Sequence, residues 1–397
     1  MRRRAVMFLL VLVATLAACD DSGGDGGGNG GGGATEQPDG QDDGTAPGGP
    51  IVFNGEGNNL NAYATEEPFE EQQIFTNAED DPENGLDINA QICFFPDGAP
   101  GPGDGEVWFI AGEDTGQPDP PPGWGIFRLA GDTVGDLSAE QVGKLTPTYQ
   151  AIEGNPENYG CGLLSDGRVL TTDIGNQATG PETGQLIVWF PPFDSREVSY
   201  CKIDTAIGTA GQILVDDQDR VYVPSARGST LGVQRYSGPF PTSADASGGC
   251  GQTDATGAPL ADSVSRETFL GAGADDLATP NAIVAKPGGG FFVSSVINGV
   301  INEYDADGGF VQTVLRPPAG EELGEETFST GTPLGLGVDS DGTLYYADIG
   351  ITVSADGIGP GPEGTLRRIR FDTDGAPLPP EVIDDGLAFP DGIGVLE

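Results

Sequence analysis

Apolar residues in this chain come in short bursts separated by small polar turns, and the bursts recur in one order. "PLGLGVDSDGTLYYADIG" (333–350) sets the pattern: an apolar run, a turn rich in Asp and Gly, a second apolar run, then a polar loop containing Gly. "YGCGLLSDGRVLTTDIG" (159–175), "AGQILVDDQDRVYVPSARG" (210–228) and "PNAIVAKPGGGFFVSSVING" (280–299) repeat it. "AQICFFPDGAPGPGDGEVWFIAGEDTG" (90–116) repeats it with an insertion in the turn. The runs are rich in Val, Ile, Leu, Phe and Tyr, so each copy predicts an antiparallel strand pair. Two more polar strands follow each pair, as in "GQLIVWF" with "REVSYCKI", "GVINEYD" with "GFVQTVL" and "GTLRRIRFD" with "PPEVI". Helical periodicity is nowhere sustained, which argues against helical solenoids.

A unit of four antiparallel strands, A to D, recurring about every 50–60 residues predicts a β-propeller blade. The ends set the blade count. The chain closes on "FPDGIGVLE" (389–397), which matches only strand A, and "PIVFNGEGNNLNAYATEEPFEEQQIFT" (50–76) supplies strands B, C and D without an A. The expected fold is therefore all-β: a six-bladed propeller over 50–397, closed by pairing the C-terminal strand with N-terminal strands.

"TPNAIVAKPGGGFFVSS" and "TPLGLGVDSDGTLYYADIG" resemble blades of the SMP-30/gluconolactonase and NHL-repeat superfamily of six-bladed propellers. In that family a Glu, two Asn and an Asp hold a divalent cation in the central channel, which polarises a lactone carbonyl and activates water. The resemblance carries over to Asn281 in "PNA" and Asp391 in "PDG" as metal candidates, calcium being the expected ion. No glutamate stands at a matching place, and Leu334 occupies a position where a polar ligand would help. The residues expected at the mouth of the channel, one per blade, are Gln91, Tyr159, Gly211, Asn281, Leu334 and Asp391. Loops after strand B share that face and add Asp114, Asp173 and Asp348, with Trp124 and Tyr159 as aromatic surface for a sugar or peptide. Asp173 and Asp348 can equally serve as strand-end residues that bond loop amides.

"DSDG" (339–342) also resembles the back half of an EF-hand loop. The first ligand position would then be Gly337 and the twelfth Asp348, where a bidentate Glu is required, and strands rather than helices flank it. It is read instead as the A–B turn of blade 5.

The N-terminus carries an address. Arg2, Arg3 and Arg4 precede the apolar run "AVMFLLVLVATLAA", too short for an ordinary membrane span. The run ends in "LAAC" (16–19), which resembles the lipobox of bacterial lipoproteins. The resemblance implies a signal peptide over 1–18, cleavage before Cys19, and a lipid on that cysteine. "DDSGGDGGGNGGGGATEQPDGQDDGTAPGG" follows, almost without apolar residues, and reads with Cys19 as a flexible tether over 19–49. The expected location is the bacterial cell envelope, lipid-anchored, facing the periplasm or the exterior.

Charge and missing residues narrow the chemistry. Seventeen basic residues stand against 62 acidic ones, a formal −45, so nucleic acid and anionic headgroups are poor partners. Histidine is absent, which removes Ser-His-Asp and Cys-His machinery and His-bound zinc. Beyond Cys19 there are four cysteines, Cys93, Cys161, Cys201 and Cys250, enough for two disulfides in an oxidising compartment. Three pairings are possible. Cys93 and Cys161 hold the same repeat position in adjacent blades, which favours 93–161 with 201–250.

The sequence thus predicts a monomeric envelope lipoprotein that binds or scaffolds a protein, peptide or sugar through an acidic loop face. Two alternatives stand beside it: a metal-dependent lactonase or esterase using Asn281 and Asp391, and a non-catalytic propeller with a structural calcium in the channel.

Overall fold

The computed structural model describes residues 49–397 except 97, 100, 104, 114–122, 147–157, 176–183, 194–197, 251–260, 318–330, 355–356 and 361–362. Residues 1–48, and with them the leader, Cys19 and nearly all of the tether, lie outside the described residues, as does Asp114.

Six four-stranded antiparallel sheets make up the domain. The innermost strands A of blades 1 to 5 are Ile88–Phe94, Asn158–Leu163, Leu214–Val215, Pro280–Ala285 and Pro333–Val338. Blade 6 takes its strand A from the C-terminus, Ile393–Leu396, which pairs antiparallel with Ile51–Glu56, so that Ile51 faces Leu396 and Phe53 faces Gly394. Closure through the last strand leaves no open seam in the ring. Blade 5 carries an extra hairpin, Ile351–Ser354 with Gly357–Pro360, between strands B and C. The helical elements among the described residues are three-residue 3-10 turns, and none is long and apolar enough to cross a membrane.

Strand alternation builds the core. Successive side chains of a strand point to opposite sheet faces, so each blade contributes to the seam on either side. Tyr345 packs toward blade 6 with Val52 and Tyr63, while Tyr346 packs toward blade 4 with Phe292 and Ile301. Six apolar clusters result, one in each seam between neighbouring blades. Burying a side chain such as Phe53 or Tyr345 contributes about 1.5–3 kcal/mol, and the seams together hold the ring. Two disulfides reinforce two of these seams. Cys93 is bonded to Cys161 between blades 1 and 2 (Cα–Cα 6.0 Å), and Cys201 to Cys250 between blades 2 and 3 (5.7 Å), the pairing favoured by the repeat.

Strands A are bulged where they reach the axis. Four residues, Asn158 to Cys161, oppose three, Asp173 to Thr171, and the same count recurs in blades 4 and 5. Blade 1 carries one residue more: Asn89 to Cys93 opposes Gly112 to Ile110, with Ala90 at φ +67°. Bulges re-aim side chains, and Gln91, Tyr159 and Asn281 lie within these bulges.

Candidate functional site

The bulge corrects one expectation. Because blade 1 has the extra residue, the position matching Tyr159, Gly211, Asn281, Leu334 and Asp391 is Ala90, and Gln91 falls one place further in, level with Gln212. The close approach of strands shows the register. A Cβ on Gly392 would lie 1.8 Å from the Ala90 carbonyl oxygen, and Gly335 meets the Asp391 carbonyl in the same way at 2.3 Å. Only glycine lets these strands come so near.

Two glutamines stitch the axis. The Gln91 Oε1 accepts from the backbone N–H of Cys161 (2.9 Å) and of Ile213 (3.0 Å), and its Nε2 donates to the Ile213 carbonyl at 3.0 Å. Gln212 repeats the second pairing two blades round: Oε1 accepts from Leu336 N–H (3.0 Å) and Nε2 donates to the Leu336 carbonyl (2.6 Å). Each amide reaches the next blade but one, from 1 to 3 and from 3 to 5. A side chain that short can do so only where the innermost strands crowd together. Asn281 adds a third link, its Nδ2 donating to the Tyr159 hydroxyl (2.8 Å, blade 2) and to the Leu334 carbonyl (2.9 Å, blade 5). Gln91, Gln212 and Asn281 are all at least nine-tenths buried, and buried amides of this kind stabilise only when paired.

Above the stitches lies a seventh apolar cluster, which belongs to no seam. Tyr159 and Ile174 come from blade 2, Val296 from blade 4, and Leu334, Ile349 and Ile351 from blade 5. Half-buried Ile297, Val353 and Phe389 pack against it at the surface. Phe389 sits at φ +56°, a left-handed conformation rare for a bulky residue. The mouth is therefore apolar at its centre.

The remaining predicted residues fall in two groups. Asp173 and Asp348 end strand B in blades 2 and 5 and tie their own loops. The Asp173 Oδ1 accepts from Gly175 N–H (2.9 Å) and Oδ2 from Gln185 Nε2 (3.0 Å). The Asp348 Oδ1 accepts from Thr332 N–H (2.9 Å), Thr332 Oγ1 (3.1 Å) and Gly350 N–H (3.0 Å). Ser295 holds the same place in blade 4 and accepts from Thr279 N–H at 2.9 Å. Trp124 stands apart: it is 1% exposed in the seam between blades 1 and 2 and offers no surface to a ligand. Gln212 was not anticipated, although "AQI" (90–92) and "GQI" (211–213) place the same Gln-Ile pair at the start of two strands A.

The fit of a channel cation can be judged from these bonds. Asn281 is oriented by two donated hydrogen bonds, Leu334 is apolar, and the Asp391 backbone N–H donates to the Gly55 carbonyl at 2.8 Å. Among the described residues no group of three or more acidic or cysteine side chains is placed to hold a metal. The donor set does not match the Glu, two Asn and Asp that the sequence resemblance implies.

No protein-family model and no curated protein matches the sequence. Solved structures resemble it at low identity. A protein of unknown function from Bacteroides caccae aligns at 13% identity over 88% of this chain and 100% of its own, with a TM-score of 0.46. Regucalcin, a calcium-binding protein from Agrobacterium tumefaciens, aligns at 13% over 73% and 74% (TM-score 0.42). A gluconolactonase from Xanthomonas campestris aligns at 13% over 72% and 78% (TM-score 0.40). At these values no property of those proteins carries over, and the fold rests on the strand pairings themselves.

Proposed function

We propose that this chain is a non-catalytic binding module of the bacterial cell envelope, held by a lipid on Cys19 and a glycine-rich tether, which engages a protein, peptide or sugar through its mouth face. One observation carries the binding role. Gln91, Gln212 and Asn281, near the axis, are bonded to backbone groups and a tyrosine hydroxyl of other blades, beside an apolar centre in which Ile297, Val353 and Phe389 pack on the mouth cluster. Such a surface suits contact rather than bond cleavage, which needs polar groups free to move protons or stabilise charge. The address rests on the lipobox resemblance at "LAAC".

The test places a photo-crosslinking residue at Ile297 or Phe389 on the mouth and at Ser340 on the opposite face, in cells. Adducts confined to the mouth positions are expected. Adducts only at Ser340, or hydrolysis of a lactone and ester panel that disappears in Asp391→Ala, would overturn the binding role. Fatty-acid labelling that persists in Cys19→Ser would overturn the anchor.

A further inference from the structure

The outermost strand of a blade is a sheet edge, and an edge offers unpaired backbone groups to any chain that can add a strand. Charge or cover protects five of the six. Strand D carries Glu71 in blade 6 (Glu71–Phe75), Glu140 in blade 1 (Ser138–Leu145) and Arg266 with Glu267 in blade 3 (Ser265–Leu270). In blade 5 (Glu381–Leu387) it carries Asp384 and Asp385. Blade 2 is covered instead: the Ala261 N–H, between strands C and D of blade 3, donates to the Ile203 carbonyl of its strand D (Tyr200–Ile207) at 2.9 Å. Blade 4 differs. Its strand D, Phe310–Leu315, reads FVQTVL and holds no charged residue. It ends its sheet, with Phe310 47% and Val311 50% exposed. The other large apolar side chains exposed among the described residues, Leu378 and Val382, lie on blade 5, whose C–D turn touches this strand through Gln312 Nε2 and the Gly375 carbonyl (2.8 Å).

The sequence of the edge points to its occupant. From either end it runs two apolar residues, two polar, two apolar, so it is complementary to itself read backwards. Antiparallel pairing with an identical strand, about a two-fold axis at Gln312, sets Phe310 opposite Val314 of the partner subunit and Val311 opposite the partner's Thr313. Aromatic and β-branched residues facing each other in this way stabilise a sheet, and the two-fold makes every such pair twice. The charges agree with that direction. Asp305 and Asp307 stand exposed before the strand, and exposed Arg316 follows it. Antiparallel pairing brings Arg316 to the partner's Gly308, beside the partner's Asp307, and holds the two acidic turns at opposite ends. Arg316 is free to change partner, because its present bond to Asp276 (2.8 Å) joins two exposed side chains and contributes little. The other charged edges would set like charges against a copy of themselves, which is destabilising.

We propose that strand D of blade 4 is a docking edge for a second copy of this chain. The two copies pair antiparallel about Gln312, and two four-stranded blades become one eight-stranded sheet. The protein is then a two-fold dimer in place of the monomer expected from the sequence, joined at the outer rim and away from the mouth cluster.

The test uses the two-fold itself. Directly opposite Cα atoms of paired strands lie about 4.5–5.5 Å apart, within disulfide reach. The full chain carrying Gln312→Cys, treated with a mild oxidant in the producing cells, should therefore give a covalent homodimer on non-reducing gels. Thr268→Cys, on the charged outer strand of blade 3, should give none. Val311→Lys sets a lysine on the exposed edge of each copy, and added to Gln312→Cys it should lower the dimer yield by about tenfold or more. Val311 is half exposed, so this variant should keep the wild-type Tm, which separates lost pairing from lost folding. Equal dimer from Thr268→Cys, a yield that survives Val311→Lys, or Gln312→Cys trapped only with other proteins overturns the proposal. None of these outcomes bears on the crosslinking test of the mouth.

Discussion

On the turn face of the ring, hairpins close with residues six apart in the chain; at the axis, side chains bond partners 53 to 124 residues away. In blade 5 the Asp339 Oδ2 accepts from the Tyr345 hydroxyl at 2.8 Å, while Oδ1 accepts from Thr343 N–H at 2.8 Å. Blade 3 does the same with Asp216, which accepts from the Tyr222 hydroxyl (3.2 Å) and from Arg220 Nε (2.6 Å). Blade 4 has Lys286 over the Phe292 ring, 5.7 Å from its centroid, and blade 2 has Leu164 and Leu170 in one apolar cluster. Two positions accept a hydrogen-bonded pair, a cation over a ring, or two leucines. Neighbouring turns do touch, Ser165 of blade 2 donating to Asp219 of blade 3, but the pair six residues apart within each hairpin varies from blade to blade. The axis has no such freedom, because Gln91, Gln212 and Asn281 each satisfy groups in other blades.

Substitution should separate the two regions by size of effect. Gln212→Leu leaves the Leu336 N–H and carbonyl buried without partners, and should cost roughly 2–6 kcal/mol in denaturant unfolding. A loss under about 1 kcal/mol would show that the axis is no more demanding than a turn. Cys93→Ala/Cys161→Ala, which frees the seam beside Gln91, should cost about 2–4 kcal/mol. On the turn face, Tyr345→Phe should cost only about 1 kcal/mol, the net value of one hydrogen bond. A double-mutant cycle of Tyr345→Phe with Tyr222→Phe should be additive, since blades 5 and 3 are not neighbours; coupling between them would dissolve the contrast.

The smallest effect lies in pH. Glu56 and Glu71 have carboxyls raised above the ordinary 4.5, so the folded state holds their protons more tightly than the unfolded chain does. Stability from this pair falls as pH rises from that ordinary value through the raised one. Glu71→Gln should flatten that slope and lift Tm at pH 7; an unchanged slope would show that burial and the Asp384 charge do not raise the Glu71 carboxyl.

The same contrast explains what the amino-acid order reveals. Blade count, closure and the turn at "DSDG" are written in adjacent residues, because hairpins and strand alternation are local. The disulfides were within reach because Cys93 and Cys161 share a repeat position. The axis was harder: one inserted residue in the blade 1 bulge moved Gln91 a place deeper than its neighbours suggested. Trp124 shows a different limit. Its strand is amphipathic on neither side, as befits a blade buried on both faces, so nothing nearby marks it as core rather than surface. Asp173 and Asp348 end strand B in their blades, and their bonds to loop amides depend on how each loop turns.

Ring closure has a mechanical consequence. Both ends of the propeller lie on the turn face: the Pro50 carbonyl accepts from Thr65 Oγ1 at 2.9 Å, and Glu397 accepts from Ser340 Oγ at 2.8 Å. A pull on the chain before Pro50 runs along Ile51–Glu56, a strand hydrogen-bonded on both sides, so the load is carried in shear across two ladders and not by unzipping an edge. Force applied at either end thus meets the ring on the face opposite the mouth cluster, at strands paired within the closed sheet.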